Sequence, residues 1–398
     1  MRNLENLRSD FPIFEQTVYG HPCIYFDSAA TAQIPFVGIQ AMAEYYKSYK
    51  SNVDRGLYAF AEKTTLHYEQ ARGIISEFIG AQACELVFTS GTTDGINMVA
   101  RIWAQHNLQP GDEIIISQVE HHSNFLPWQQ LVQEKNLILT ILPVDEFGVL
   151  DMKIYYATLS EKTKLVSIFH TSNILGTTND IELIVAAAHQ VGAKVLVDAA
   201  QSVAHQKIDV TKLGCDFLVF SGHKLYGPTG VGCLFIKKLV HGQCYPHKFG
   251  GSMVYSAGYD ESYWKNPPYC FEAGTPPIAQ AIGLASVVTY LNNNVDFSVI
   301  AAHEDALVAA MTAGLQALGF KFLYQNKTGH IVTFYDDEIH GHDIAMFLNS
   351  YGIAVRAGNH CVQPYHEKLG LDSTVRVSFG FYNTMAEVEK FLEVMKEL

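Results

Sequence analysis

Ile181–Ala200 reads IELIVAAAHQVGAKVLVDAA. Its first half spaces apolar residues as an amphipathic helix does, and its second half, from Lys194, is a short β-branched run that closes on an aspartate. A helix leading straight into an apolar strand is the repeating unit of a layered α/β fold. The same texture recurs on both sides: LVFTS at Leu86, EIIIS at Glu113, LILTILPVD at Leu137, KLVSIFH at Lys164, CDFLVFSG at Cys215 and VGCLFIKK at Val231. Runs this apolar are buried on both faces of a mostly parallel sheet. The last two lie too close in sequence for a helical crossover, so the strand at Val231 is expected to run antiparallel to its predecessor.

After Pro277 the texture changes. Long helical patterns (IAQAIGLASVVTYLNN and IAAHEDALVAAMTAGLQAL) precede short strands at HIVTFYD and TVRVSFG and a final helix, MAEVEKFLEVMKEL. The chain therefore divides into a large α/β domain, residues 15–275, and a smaller α+β domain, residues 276–398, completed by residues 1–14. A length of 398 residues accommodates two cores. The formal charge of −13 argues against nucleic acid as a partner, since phosphate binding needs a basic patch that this sequence does not supply. No apolar run approaches a membrane span, and MRNLENLRSDFPIFEQ lacks the apolar core of a signal peptide, so a cytoplasmic protein is expected. The seven cysteines are odd in number, scattered and without C-x-x-C, which indicates neither a disulfide framework nor a metal site.

In a parallel α/β sheet ligands bind beyond the carboxyl ends of the strands, so the residues that follow each run carry the functional reading. They include Ser90-Gly91-Thr92-Thr93, Glu120-His121-His122, His170-Thr171-Ser172-Asn173, Asp198 through Gln201, and Ser221-Gly222-His223-Lys224. SGTTDG stands before a helix expected to begin at INMVARIW, where free N–H groups and hydroxyls suit a phosphate; a plain helix cap is the alternative. Asp198 ends too apolar a run to sit there uncompensated, and either a protonated pyridine nitrogen or a structural cation or cap would answer it. Lys224 at a strand end beside His223 is either a surface lysine or one whose lowered pKa lets it form a Schiff base.

Lysine, aspartate and a hydroxyl-rich cup together are what pyridoxal 5'-phosphate (PLP) requires. The ordered set SGTTDGIN, EHHSNFLPW, DAAQS, SGHKLYGPTG, FEAGTP and RAGNHC resembles the cysteine desulfurases of the class V aminotransferase family over essentially the whole chain. The resemblance implies the type I fold of PLP-dependent transferases, with a mostly parallel seven-stranded sheet. It also implies that Lys224 carries the cofactor, that Thr92, Thr93, Ser221 and His223 hold its phosphate, and that His122 stacks on its ring. Asp198 would pair with the ring nitrogen, Gln201 with the ring hydroxyl, and Asn173 would lie near the ring and the substrate carboxylate. Gly274 and Thr275 would reach the phosphate of a neighbouring subunit, which implies a homodimer.

PLP alone does not fix a reaction. RAGNHCVQP, with Cys361 in a Gly-containing loop flanked by Arg356 and Arg376, does more, because cationic surroundings favour the thiolate of a group that otherwise titrates near ~8.5. By resemblance L-cysteine is the substrate, Arg376 and Arg356 bind its carboxylate, and Cys361 takes its sulfur as a persulfide, releasing L-alanine. The short cysteine loop resembles the group II branch, SUF-type and CsdA-like, which includes selenocysteine lyase activity and implies L-selenocysteine as a further substrate and a small SufE/CsdE-like protein as sulfur acceptor. Ser90 stands where the family often has arginine, and Asn359 where it often has histidine or glutamine. The alternative within the family is a selenocysteine lyase or cysteine sulfinate desulfinase in which Cys361 is dispensable.

Overall fold

The computed structural model describes residues 4–145, 148–324 and 328–398. Its main sheet has seven strands. They are β1 (Leu86–Thr89), β2 (Glu113–Ser117), β3 (Ile138–Leu142), β4 (Thr163–Phe169), β5 (Lys194–Asp198), β6 (Phe217–Ser221) and β7 (Gly232–Ile236). Their spatial order is β1-β7-β6-β5-β4-β2-β3. Strand β7 runs antiparallel to both neighbours, with Gly232 opposite Thr89 on one side and Ser221 on the other, and the remaining pairs are parallel. Both the strand set and the reversed strand thus match the sequence reading.

Every residue of β1, β2, β6 and β7 is buried, as the uninterrupted apolar runs require. Helix Ile181–Gln190, capped by the Asp180 carboxylate accepting from Leu183 N–H, turns Ile181, Ile184, Val185 and Ala188 into the same core as Val195 and Val197 of β5.

The smaller domain is a four-stranded antiparallel sheet: β8 (Lys321–Phe322), β9 (Ile331–Tyr335), β10 (Arg356–Gly358) and β11 (Thr374–Ser378), in the order β8-β9-β11-β10. Helices Phe297–Ala317, Gly341–Ser350 and Met385–Met395 cover it, burying Leu307, Met311, Ile344, Leu348, Val388 and Phe391 against Val332, Phe334, Val375 and Val377.

Packing moves the division expected at residue 275/276. Helix Ile278–Asn294 buries residues all round its circumference and joins the large-sheet core through Ile278, Ala281, Leu284, Val288 and Leu291. Leu4, Leu7 and Phe11 enter that core too, whereas Ile24 and Phe26 enter the small one. We therefore propose that the domains part after residue 294, with the N-terminal segment shared between them. Among the described residues no helix is long and apolar enough to cross a membrane.

Candidate active site

The carboxyl ends of β1, β2, β4, β5 and β6 open onto one cavity of about 690 Å³, closed on the far side by β10, the Cys361 loop and Arg376 of β11. Thr92, Thr93, Asn173, Asp198, Gln201, Ser221, His223, Lys224, Arg356, Cys361 and Arg376 all line it. Two strand-end turns build one end. The helix after β1 starts at Thr92, four residues earlier than the INMV expected, so that both threonines stand in its first turn where backbone N–H groups lack intrahelical acceptors. Thr92 N–H donates to Ser221 Oγ at 2.8 Å, the two hydroxyls meet at 2.8 Å, and Thr93 Oγ1 meets Ser123 Oγ at 2.6 Å. A Cβ on Gly232 would come within 2.4 Å of Gly91 Cα, so only glycine lets β7 approach this turn. Hydroxyls at a helix N-terminus make an anion cradle. Burial and then the Lys224 charge push His223 down to about 4, so it meets an anion as a neutral donor.

Asp198 is buried; desolvation raises its pKa while Lys224 and the N–H of Ala200, donating at 2.9 Å, act the other way. Lys224 closes a short turn after β6, Gly222–Lys224. Its pKa is lowered, first by burial and then, against the pull of Asp198, by Arg376. A lysine so placed supplies the neutral amine that imine formation needs. Gln201 is anchored by its Nε2, which donates to Ala29 O at 2.8 Å.

His122 is not in the cavity; His121 is. The tandem histidines follow β2 in a tight turn that sends neighbouring side chains in different directions. His121 Nδ1 accepts from Ser123 N–H at 3.1 Å, and burial followed by the charges of Lys224, His122 and Arg376 pushes it down to about 3. Buried Glu120, pushed up to about 8 by desolvation, fixes the turn by accepting from Ser117 Oγ, Asn124 Nδ2 and Phe169 N–H. His122 instead faces the small domain: its Nε2 accepts from Gln363 N–H at 3.2 Å and its own N–H donates to Cys361 O at 2.8 Å. Of the tandem pair from which the sequence reading took His122 as the ring-stacking residue, it is therefore His121 that reaches the cavity.

Arg376 is 3% exposed. Its Nη1 donates to Asn173 O at 2.9 Å and its Nη2 to Asp27 at 3.3 Å, while its Nε is buried without a partner. A buried guanidinium that lines a cavity is a ready receptor for a carboxylate. Arg356, half-exposed, is forked onto Asp27 at 2.8–3.1 Å. Asp27 is a residue that the sequence reading missed; it opens the loop DSAAT and holds both arginines.

Cys361 is the exposed cysteine among the seven. Burial pushes Cys215, Cys244 and Cys270 up to about 12. His360 and Cys361 both have left-handed backbone, φ 48° and 59°. Such non-glycine residues cost about 1–3 kcal/mol each and collect at functional sites. Asn173 Nδ2 donates to His360 O at 2.8 Å, tying this loop to the large domain. Gly274 and Thr275 lie on the surface away from the cavity, where Asn52 Nδ2 meets Thr275 Oγ1 at 3.5 Å.

The arrangement fits PLP. The cradle would take a phosphate, buried Asp198 would offer its carboxylate to a ring nitrogen, and Lys224 stands within electrostatic reach of Asp198. Residues 24–391 match the Aminotransferase class-V family. A probable cysteine desulfurase of Halalkalibacterium halodurans is 44% identical over 99% of this chain and 98% of its own length. Among solved structures, the apo cysteine desulfurase of Thermococcus onnurineus NA1 superimposes with a TM-score of 0.94 at 39% identity, covering 100% of this chain and 98% of that one. The cysteine desulfurase CsdA of Escherichia coli, in its S-sulfonic acid form, gives 0.92 at 33% identity with the same coverage. The fold and site thus define a class V aminotransferase-family protein whose cofactor is PLP. Within that family the chain belongs to the cysteine desulfurases.

Proposed function

We propose that this protein removes sulfur from L-cysteine, leaving L-alanine and a persulfide on Cys361 that passes to the thiol of a small SufE/CsdE-like acceptor protein. The observation that carries the reading is the pairing, in one cavity, of enclosed Lys224 from the large domain with exposed Cys361 from the small one. Thr92, Thr93, Ser221 and His223 would hold the cofactor phosphate, Asp198 the ring nitrogen and Gln201 the ring hydroxyl, with His121 against the ring. Bound PLP supplies an electron-withdrawing ring that stabilises negative charge at the substrate α-carbon. Arg376 orients the substrate by its carboxylate, and Asn173 holds Arg376 through its carbonyl.

Lys224 takes the α-proton, a task suited to an amine whose pKa burial lowers. Cys361 as thiolate attacks the substrate sulfur. An S–S bond forms, the Cβ–S bond breaks with its electron pair going to Cβ, and alanine is completed by a proton at Cβ and by return of the proton to the α-carbon. Gly274 and Thr275 are exposed and remote from their own cavity, which leaves them free to reach the site of a second copy in a homodimer.

The test is to supply the holoprotein with L-cysteine in the absence of reductant. Alanine should appear in a burst stoichiometric with the chain, and mass spectrometry should find one added sulfur on the peptide that carries Cys361. Alanine release with no sulfur on that peptide would refute the reading. The reassigned histidine gives a separate prediction. His121→Ala is expected to lower turnover by about a hundredfold and to shift the visible absorbance of the bound cofactor; in His122→Ala the absorbance should stay as in the wild type.

A further inference from the structure

A buried hydroxyl ties the loop that presents Cys361 to the small-domain sheet. Thr374, the first residue of β11, is fully buried, and its Oγ1 lies 2.9 Å from His360 Nε2 and 3.1 Å from His366 Nε2. The proton directions follow from the far end of this chain. His366 Nδ1 is 3.2 Å from Val362 O, and a carbonyl can only accept, so Nδ1 carries the hydrogen. Both imidazoles are buried and desolvation lowers both pKa values, which keeps them neutral. His366 Nε2 is then an acceptor from the Thr374 O–H, and the threonine oxygen accepts from His360 Nε2–H. Gly358 O, at 3.2 Å, is the competing acceptor for the same hydroxyl proton. This leaves His360 Nδ1 bare, in keeping with its lack of a partner.

His360 and His366 bracket Cys361 in sequence, and the hub thus fixes both ends of a segment whose first two residues, His360 and Cys361, are left-handed. From the other side His122 N–H holds Cys361 O and Asn173 Nδ2 holds His360 O, so the loop is clamped between domains. A loop in a conformation that its own residues disfavour stays there only while its surroundings over-determine it. We propose that Thr374 is a positioning residue for the sulfur-transfer step, its hydroxyl joining His360 to His366 and so holding the Cys361 thiol in line with the substrate sulfur. This deepens the desulfurase reading and rests on it.

The hydroxyl can be removed at nearly constant volume by Thr374→Val and restored by Thr374→Ser. The experiment follows alanine release by each holoprotein from L-cysteine and from L-cysteine sulfinate, whose sulfur leaves without attack by a thiol, with kcat and KM taken separately. A thiol misplaced by about 1 Å loses on the order of a hundredfold in rate. We expect Thr374→Val to lower kcat for L-cysteine about tenfold or more, with KM and the sulfinate rate within about twofold of wild type, and Thr374→Ser to recover most of the loss. An equal fall on both substrates, an unchanged kcat, or no recovery with serine would each overturn the proposal. A wild type that makes alanine from sulfinate but none from L-cysteine would instead refute the desulfurase reading itself.

Discussion

Lys224→Ala is expected to abolish turnover of both L-cysteine and L-cysteine sulfinate, by about a thousandfold or more. Two separate functions leave with the side chain: the amine that holds the cofactor and the base that takes the α-proton. Neither can pass to a neighbour. His121 and His223 keep in the variant the burial that is the first cause of their lowered pKa values, which leaves them weaker bases than an amine, and Arg376 stays protonated and tied to Asn173 and Asp27. The phosphate cradle and Asp198 come from other strand ends, so PLP should still bind. Borohydride should then fix the cofactor covalently to the wild type and not to the variant. A variant that kept a tenth of wild-type turnover would show that another group carries the proton.

That this lysine could be singled out from sequence reflects what is local. Strands buried on both faces must be apolar throughout, so the polar residue that ends each run is conspicuous, and parallel pairing brings those ends together. Asp198, Lys224, Asn173 and the threonines were legible for that reason. The errors lie where phase or distance decides. Thr92 and Thr93 are weak helix formers beside glycine, and propensity alone delays the helix to Ile96, although the tertiary bond from Thr92 N–H to Ser221 starts it earlier. His121 and His122 are chemically identical, and which one faces the cavity depends on the turn anchored by Glu120, whose partner Phe169 lies in β4. Asp27 owes its role to arginines more than three hundred positions away, beyond any local pattern. Helix Ile278–Asn294 is apolar on all sides because it is buried by both the sheet layer and the N-terminal helices, and texture alone cannot say which core such a helix joins.

Cys361→Ala is expected to separate the two substrates. The sulfur of L-cysteine is a poor leaving group without a nucleophile to take it, so alanine release should fall by about a thousandfold. Release from L-cysteine sulfinate should stay within about twofold, because Lys224, Arg376 and the cofactor cradle are untouched. Alanine bears the left-handed φ of 59° no worse than cysteine, and the bonds described for this loop run through the backbone of residues 360, 361 and 363 and the imidazoles of His360 and His366 rather than through the thiol, so the loop should keep its shape. No other cysteine is placed to substitute. Cys23, Cys215, Cys233 and Cys270 are buried, burial pushes half-buried Cys244 up to about 12, and Cys84, also half-buried, lies against Gln82 outside the cavity. A yellow Cys361→Ala protein that released alanine from L-cysteine at the wild-type rate would remove the thiol from the chemistry. The cavity would then be one in which Lys224 and Arg376 act on a leaving group that needs no help.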